Sequence, residues 1–368
     1  MISFKKAKTY IKKFGSPVLL LSKNQVKENY RTLKKYLPSV DFYYAVKSNP
    51  NVELLKAVKE IDGFFDLASA GEIKILKKLG VPASKCIYTH PIKKKEDIKY
   101  ALDYGVKLFI IDNEYEIAKL KKFKKDLDVL VRISISNPDC PVDLSLKFGA
   151  EPKDALDLIK KAHNEGISVK GISFHVGSQN MNAYKYVEAL EYCKDIFKLA
   201  ALEGIDFEIL DIGGGFPVSY TKNVMPVDYS CNIIKSYLEK NFQNFRFIAE
   251  PGRFISAASM TLVVSVVGKS KRNGVCWYYI DDGLYSTFSG KVFDACDYKI
   301  LCEKSGEPTP CVIAGPTCDS FDIVYKNILL PELDIGDILI FPNMGSYASA
   351  NATNFNCIEP TKIITVDY

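Results

Sequence analysis

Phe42-Tyr43-Tyr44-Ala45-Val46-Lys47-Ser48-Asn49-Pro50 is an apolar and aromatic run that ends on a lysine, a polar pair and a proline. This pattern predicts a buried strand over 42–46 that stops at Lys47. Pro50 disfavours continuation and opens the next segment. An ammonium carried out of such a strand among apolar neighbours is dehydrated, which lowers its pKa and frees the amine. A free amine of that kind forms a Schiff base with an aldehyde. The chain has 49 Lys and Arg, and a lysine at a strand end is ordinarily a solvated terminus. Lys47 therefore gains weight only from what stands at the ends of the other strands.

Outward from this run the pattern repeats. Strands are predicted over 42–46, 64–68, 86–89, 108–112, 129–135, 169–175, 207–212 and 245–250. Helical patterns between them, such as 52–61, 72–79, 97–104, 114–123, 154–164, 184–202 and 229–240, carry Lys and Glu on one face and Leu, Ile and Ala on the other. Helices that cover a sheet have this amphipathic form. The alternation predicts an α/β fold, an eight-stranded parallel (β/α)8 barrel, with a doubly wound open sheet as the alternative. After Ser256 the character changes. Short strands at 261–267, 275–280, 311–314 and 338–342, with turns and no long helix, predict a β-rich C-terminal domain. The expected division is a barrel over 22–257 and a β-rich domain over 258–368, completed by an N-terminal strand within 1–21.

Composition narrows the class of function. The chain of 368 residues is 47% hydrophobic and 25% charged, ordinary values for a globular protein. The net charge of +5 is spread without a basic block, which argues against nucleic acid as a partner. No apolar run approaches the ~20 residues of a membrane span. Residues 1–14 are basic and amphipathic without the apolar core of a secretion signal. The ten cysteines show no CxxC pairing, and three histidines add little to them, so no metal site is expected. Reduced thiols in a cytoplasmic setting are the economical reading.

In a parallel barrel, chemistry sits at the carboxyl ends of the strands. Those ends carry Lys47, then Asp66 with Ser69, with Arg132 inside the fifth strand. Next come His175-Val176-Gly177-Ser178, Asp211-Ile212-Gly213-Gly214-Gly215 and Glu250-Pro251-Gly252-Arg253. A glycine triplet turns tightly and exposes backbone N–H groups, which bind phosphate. Arg253 and Ser178 complete such an anion site, the arginine through charge-assisted hydrogen bonds. A carboxylate at Glu250 facing a pyridine nitrogen keeps that nitrogen protonated, and a pyridinium is the electron sink that carbanion chemistry on an amino acid requires. His175 is placed to stack on such a ring. Each group also has a plain reading: a flexible loop, a salt bridge to Arg253, a structural histidine. In the second domain, Gly315-Pro316-Thr317-Cys318-Asp319-Ser320-Phe321-Asp322 and the run Tyr285–Asp294 carry further polar groups. The hydroxyl of Tyr347, next to a turn, is a further candidate for phosphate.

Taken together, these residues resemble the pyridoxal-phosphate decarboxylases of the alanine-racemase-like barrel class, close to ornithine and lysine decarboxylases. The resemblance rests on Tyr44-Ala45-Val46-Lys47, on Phe65–Ser69 with Glu72, and on His175-Val176-Gly177-Ser178. It continues through Asp211–Pro217, Glu250–Phe254, Asp282-Gly283-Leu284-Tyr285 and Gly315–Asp322. These motifs span nearly the whole chain.

The resemblance implies pyridoxal 5'-phosphate as cofactor, held covalently by Lys47. It implies phosphate binding by Ser178, Gly213, Gly214, Gly215, Gly252, Arg253 and Tyr347, a ring-nitrogen contact from Glu250 and ring stacking by His175. Asp66 and Arg132 follow as supports near the cofactor. It further implies a homodimer with sites shared across the interface, Cys318 as proton donor in the partner's site, and Lys147 paired with Asp322 across the same contact. Asp294, together with an Asp319 that like Cys318 acts in the partner's site, would meet a distal ammonium, with Phe293 and Tyr285 beside them. Two dehydrated carboxylates cost several kcal/mol without a cation, which favours L-ornithine, with product putrescine, or L-lysine, with product cadaverine. Arginine and diaminopimelate are the alternatives within this fold, and a cofactor-free regulatory homologue that binds a partner protein is the alternative outside enzymology. Phe293-Asp294-Ala295 departs from the Tyr-Asp-His that relatives often carry at this turn, which leaves ornithine versus lysine open.

Overall fold

Strand and helix alternate along the chain of this computed structural model, which describes residues 2–367. Two compact units result. One comprises Lys27–Pro217 with Val224–Phe254; the other comprises the residues up to Val26, Val218–Asn223 and Ile255 onward.

The first strand, β1 (Val18–Leu21), lies in the second of these units. The next eight close the barrel: β2 (Val40–Ala45), β3 (Phe64–Leu67), β4 (Cys86–Tyr88), β5 (Leu108–Ile111), β6 (Asp128–Ile133), β7 (Ser168–Phe174), β8 (Ile209–Asp211) and β9 (Arg246–Ala249). Every neighbouring pair is parallel, and β9 returns to β2 with Val40 opposite Phe247 and Phe42 opposite Ala249. The interior is packed rather than hollow. Tyr43, Ile87, Ile110, Leu130, Ile209 and Ile248 form one buried cluster, with Phe64 and Leu108 against it. The open doubly wound sheet is thereby excluded.

Helices begin directly behind the strands because polar side chains cap them. Asn51 accepts the N–H groups of Glu53 and Leu54 at the start of Val52–Glu60, and Ser69 caps Ala70–Lys78 through the Glu72 N–H. Asn113 does the same for Glu114–Leu120. Each cap satisfies N–H groups that the first helical turn leaves over. The turns after β2, β3 and β5 are therefore short and defined, whereas 134–154 after β6 and 212–226 after β8 are longer loops.

The second unit is an antiparallel-rich sheet. Its strands are β1, β10 (Met260–Arg272), β11 (Val275–Ile280), β12 (Leu301–Cys302), β13 (Thr309–Ala314), β14 (Ile323–Leu330), β15 (Ile338–Phe341) and β16 (Lys362–Thr365). The main path runs β12-β15-β10-β11-β13-β14, and β1 pairs antiparallel with β10 and parallel with β16. Ile2, Ala7, Val18, Leu20, Val263, Ile340 and Val366 make one of its core clusters. Strands β12, β14 and β16 were not foreseen from sequence: β12 is two residues long, and Lys326-Asn327 interrupts the apolar pattern of β14.

Leu20 is fully buried in the core of this unit. Leu20→Ala should therefore cost about 2–4 kcal/mol of stability through lost burial and the cavity left behind. Urea denaturation monitored by fluorescence would register it as a lowered midpoint with an unchanged slope.

Candidate active site

Lys47 sits not on β2 but in the single helical turn Val46–Ser48 that follows it. The turn is tightly held. Ser48 Oγ shares its one proton between the Ala45 carbonyl at 2.8 Å and the Tyr44 hydroxyl at 3.0 Å, and that hydroxyl donates to the Asn49 carbonyl at 2.9 Å. Contrary to the sequence expectation, the Lys47 amine is not dehydrated. Its side chain is 42% exposed and Nζ pairs with Asp66 Oδ2 at 3.0 Å. The reason is position: the turn carries Lys47 beyond the apolar strand to the rim, while Asp66, on β3, stays 1% exposed. The Thr89 hydroxyl donates to the other Asp66 oxygen.

The end of β9 leans on this turn. The Ala45 N–H donates to the Pro251 carbonyl at 3.2 Å. A Cβ on Gly252 would lie 2.9 Å from Ser48 Cβ, so this contact requires glycine. Just before it stands Glu250, 6% exposed, whose Oε1 has no hydrogen-bond partner. Burial, with Asp211 and Asp66 nearby, holds its carboxyl well above the usual carboxylate range. Asp211 is fully buried at the end of β8 and accepts the Gly213 N–H at 2.9 Å and the Ser173 hydroxyl at 3.0 Å. Asp211 and Glu250 share a hydrogen bond, and Glu250 carries the proton because Asp211 is the better solvated by N–H and O–H donors.

Gly213-Gly214-Gly215 follows β8. Gly213 and Gly215 adopt φ of +65° and +108°, which glycine reaches without strain. A Cβ on Gly214 would lie 2.8 Å from the Glu250 carbonyl and 3.0 Å from His175 Nε2. The loop is anchored by the Tyr186 hydroxyl, which donates to the Gly214 carbonyl at 2.8 Å, and by the Asn180 N–H, which donates to the Gly215 carbonyl at 2.9 Å. His175 Nδ1 accepts the Gly177 N–H at 3.0 Å, and burial, then the charges of Arg132 and Lys47, hold its pKa well below the ordinary value. It is a neutral imidazole. Arg253 donates to Ser178 Oγ through Nε at 3.3 Å and Nη2 at 3.1 Å. The Arg132 guanidinium lies 5.6 Å from the Phe148 ring, and its Nε is buried without a partner.

The barrel unit thus brings Lys47, Asp66, Arg132, His175, Ser178, Gly213, Gly214, Gly215, Glu250, Gly252 and Arg253 to one end. The other candidates belong elsewhere. Tyr347, Asp294, Phe293, Tyr285, Cys318, Asp319 and Asp322 lie in the β-rich unit. Tyr347 is half-buried with φ +50°. Asp294 is half-buried and accepts the Cys296 thiol at 3.6 Å, whereas Phe293 is 65% exposed. Cys318 is exposed; the Tyr285 hydroxyl donates to Asp319, holding that carboxyl below its ordinary value. Asp322 is 2% exposed and takes hydrogen bonds from the Leu284 N–H, the Thr317 N–H and the Thr317 hydroxyl. Lys147 is exposed on the barrel unit, 5.2 Å from the Phe148 ring.

A family model described as pyridoxal-dependent decarboxylase, pyridoxal binding domain, matches residues 23–257. This chain belongs to the pyridoxal-dependent decarboxylases. A lysine/ornithine decarboxylase of Selenomonas ruminantium is 40% identical to it over 96% of this chain and 91% of that one. Among solved structures, the lysine/ornithine decarboxylase of Vibrio vulnificus complexed with cadaverine superposes with a TM-score of 0.95 at 42% identity, covering 100% of both chains. SrLDC in complex with PLP and cadaverine gives a TM-score of 0.95 at 38% identity, over 99% of this chain and 94% of that one.

Pyridoxal phosphate is the cofactor of this decarboxylase, and its site fits the group. Glu250 has a buried carboxyl oxygen with no partner, as a ring N–H requires, and the glycine loop has no room for side chains between His175 and Glu250. Several supports were not foreseen: Thr89 on Asp66, Ser173 on Asp211, and Tyr186 and Asn180 on the glycine loop. Tyr186 gives no local signal, since it is one aromatic residue in a helical pattern; Thr89 could have been found as the next polar residue after β4.

Glu72 offers a test of the rim's electrostatics. Its Oε2 accepts the Ala68 N–H at 2.6 Å, and burial pushes its carboxyl up to about 7. A folded-state pKa above the unfolded one means that stability is full at low pH and falls as pH rises from about 4.5 through 7. Glu72→Gln keeps an acceptor and cannot ionise. Relative to it, the wild type should lose on the order of 2–3 kcal/mol across that window, measured by urea titration at each pH.

Proposed function

We propose that this decarboxylase acts on a basic L-amino acid, with L-ornithine the preferred substrate, giving putrescine, and L-lysine a second one, giving cadaverine. The observation that carries the reading is the buried Glu250 carboxyl, one of whose oxygens has no hydrogen-bond partner, at the same barrel end as Lys47 and the glycine loop. The similar enzymes from Selenomonas and Vibrio, the latter complexed with cadaverine, support the choice of substrate class.

In this reading Lys47 is the residue that would hold the aldehyde end of the cofactor. Asp66 would orient the Lys47 amine, as the 3.0 Å pair does here. Gly213, Gly214, Gly215, Ser178, Gly252, Arg253 and Tyr347 hold the phosphate, with Arg253 donating to an oxygen as it donates to Ser178. Glu250 would hold a proton at the ring nitrogen, and His175, kept a neutral imidazole by burial with the Arg132 charge beside it, would support the ring face. Pyridoxal phosphate, when bound, supplies the electron sink for the electrons that CO₂ leaves behind at Cα. Asp294 and the partner subunit's Asp319 meet the distal ammonium, and Phe293 and Tyr285 wall the pocket.

The working form is a cytoplasmic homodimer with shared sites. Cys318 of the partner subunit returns a proton from its thiol to Cα, which completes the amine. Lys147 faces the partner subunit's Asp322, a carboxylate already fixed by bonds within its own unit. A distal carboxylate would be repelled by Asp294 and Asp319, which argues against diaminopimelate.

Product analysis on ornithine, lysine, arginine and diaminopimelate should give putrescine and cadaverine, and Lys47→Ala should give neither; agmatine as the main product would overturn the substrate assignment. Asp294→Asn removes one anion from the distal ammonium and should raise KM for ornithine by about 10-fold, worth ~1.4 kcal/mol, with kcat changed less. Steady-state kinetics decides it, and an unchanged KM removes Asp294 from the pocket.

A further inference from the structure

The β-rich unit ties together two segments that each carry an exposed cysteine. Cys318 and Cys357 are the exposed cysteines among the described residues; the others are buried or half-buried. The Cys318 N–H donates to Asn356 Oδ1 at 3.1 Å. That bond keeps the Cα atoms of Cys318 and Asn356 within roughly 8 Å, and Cys357 is the next residue. A second clamp holds the same two segments. The Tyr285 ring stacks on Phe355 with centroids 4.5 Å apart, and the Tyr285 hydroxyl donates to Asp319. Thr353 donates to the Tyr285 carbonyl through both its N–H at 2.8 Å and its hydroxyl at 3.0 Å. Each thiol is thus one residue away from a contact that ties its segment to the other's.

The local backbone is unusual. Asn356 and Cys357 both adopt left-handed φ, +55° and +56°. Asparagine tolerates that region and cysteine does so at a cost. The Phe355–Cys357 turn therefore holds a thiol where glycine would be the relaxed choice, facing solvent and next to the segment that bears Cys318.

We propose that Cys318 and Cys357 of one chain are a redox-active thiol pair, closing to an intrachain disulfide when a small disulfide reaches the site. The thiolate of one cysteine attacks a sulfur of the reagent, forming a mixed disulfide and releasing one reagent thiol. The second cysteine then attacks the protein-side sulfur and releases the other. Two protein thiols are oxidised, one reagent disulfide is reduced to two thiols, and no further co-reactant is needed. A Cα separation of about 4.4–6.8 Å suits such a bond, within the range that the Cys318–Asn356 tether permits. Closure also takes away the Cys318 thiol, so turnover stops; this consequence, unlike the bond itself, rests on the proton-donor role under Proposed function.

The test incubates the pyridoxal-phosphate-loaded enzyme with oxidised glutathione at neutral pH. Non-reducing electrophoresis and peptide mass spectrometry follow, with activity read in parallel. The expected result is a Cys318–Cys357 linked peptide pair from a band of single-chain mass, two hydrogens lighter and without retained glutathione. Dithiothreitol should reverse it, and Cys357→Ser should instead retain glutathione on Cys318. Glutathione retained on either wild-type cysteine, a disulfide joining two chains, or unmodified thiols would overturn the pairing. The linked peptide together with full activity would support the pairing and refute the proton-donor role, so the two readings fail separately.

Discussion

The buried carboxylate of Asp66 is the constraint that the rest of the barrel mouth answers. A charge 1% exposed at the end of a barrel strand costs several kcal/mol unless cations and donors surround it. Lys47 and Thr89 supply them from the neighbouring turns, the lysine at 3.0 Å. To meet Asp66, the lysine must leave its strand and sit in the short turn after it. That turn in turn needs Gly252 beneath it, because a side chain there would strike Ser48. One ion pair thus draws the ends of β2, β3 and β9 together, and with them Glu250 and Arg253.

Three acids, Asp66, Asp211 and Glu250, share the interior of one barrel end, and their surroundings separate them. Asp66 meets a cation and Asp211 two donors, whereas Glu250 keeps an oxygen unpartnered and its proton bound. Like charges this close cannot all ionise, so the group with the poorest solvation stays neutral. A buried carboxyl oxygen without a partner costs stability. In the function proposed for this pyridoxal-dependent decarboxylase the same feature is an asset, because a ring nitrogen of the cofactor would give that oxygen its partner. In the β-rich unit a different economy holds. Asp322 is spent on three donors from its own loops, which leaves Cys318 and Asp319 on a stiff, exposed segment.

Much of the barrel was legible because its code is local and repeated. Apolar strand, cap and amphipathic helix recur along 42–254, and six of the eight strands carry a polar or glycine-rich group at or near their ends. Strand limits were less legible: Lys47 reads as the last residue of a strand and is the middle of a turn. The β-rich unit was read more poorly, since β12 is too short for a period and β14 breaks its own with Lys326-Asn327. The dehydrated lysine was misread for a related reason, as solvent exposure at a strand end depends on the turn that follows and not on the strand's composition.

By itself, the sequence determined the alternation of strand and helix, the change to a β-rich pattern after Ser256 (though not the 13-residue length of β10), and the identity of the chemical groups at six of the strand ends. Periodicity and residue type decide these, and both are local. The tertiary structure alone decided which groups meet. It paired Lys47 with Asp66, placed Glu250 beside Asp211 with one proton between them, and gave Tyr186 to the glycine loop. It also brought Cys357 to the segment of Cys318. Residues 39 apart in the chain, or on strands that touch only when the barrel closes, acquire their charge state and their partners from packing, and packing is not written in any short window of sequence.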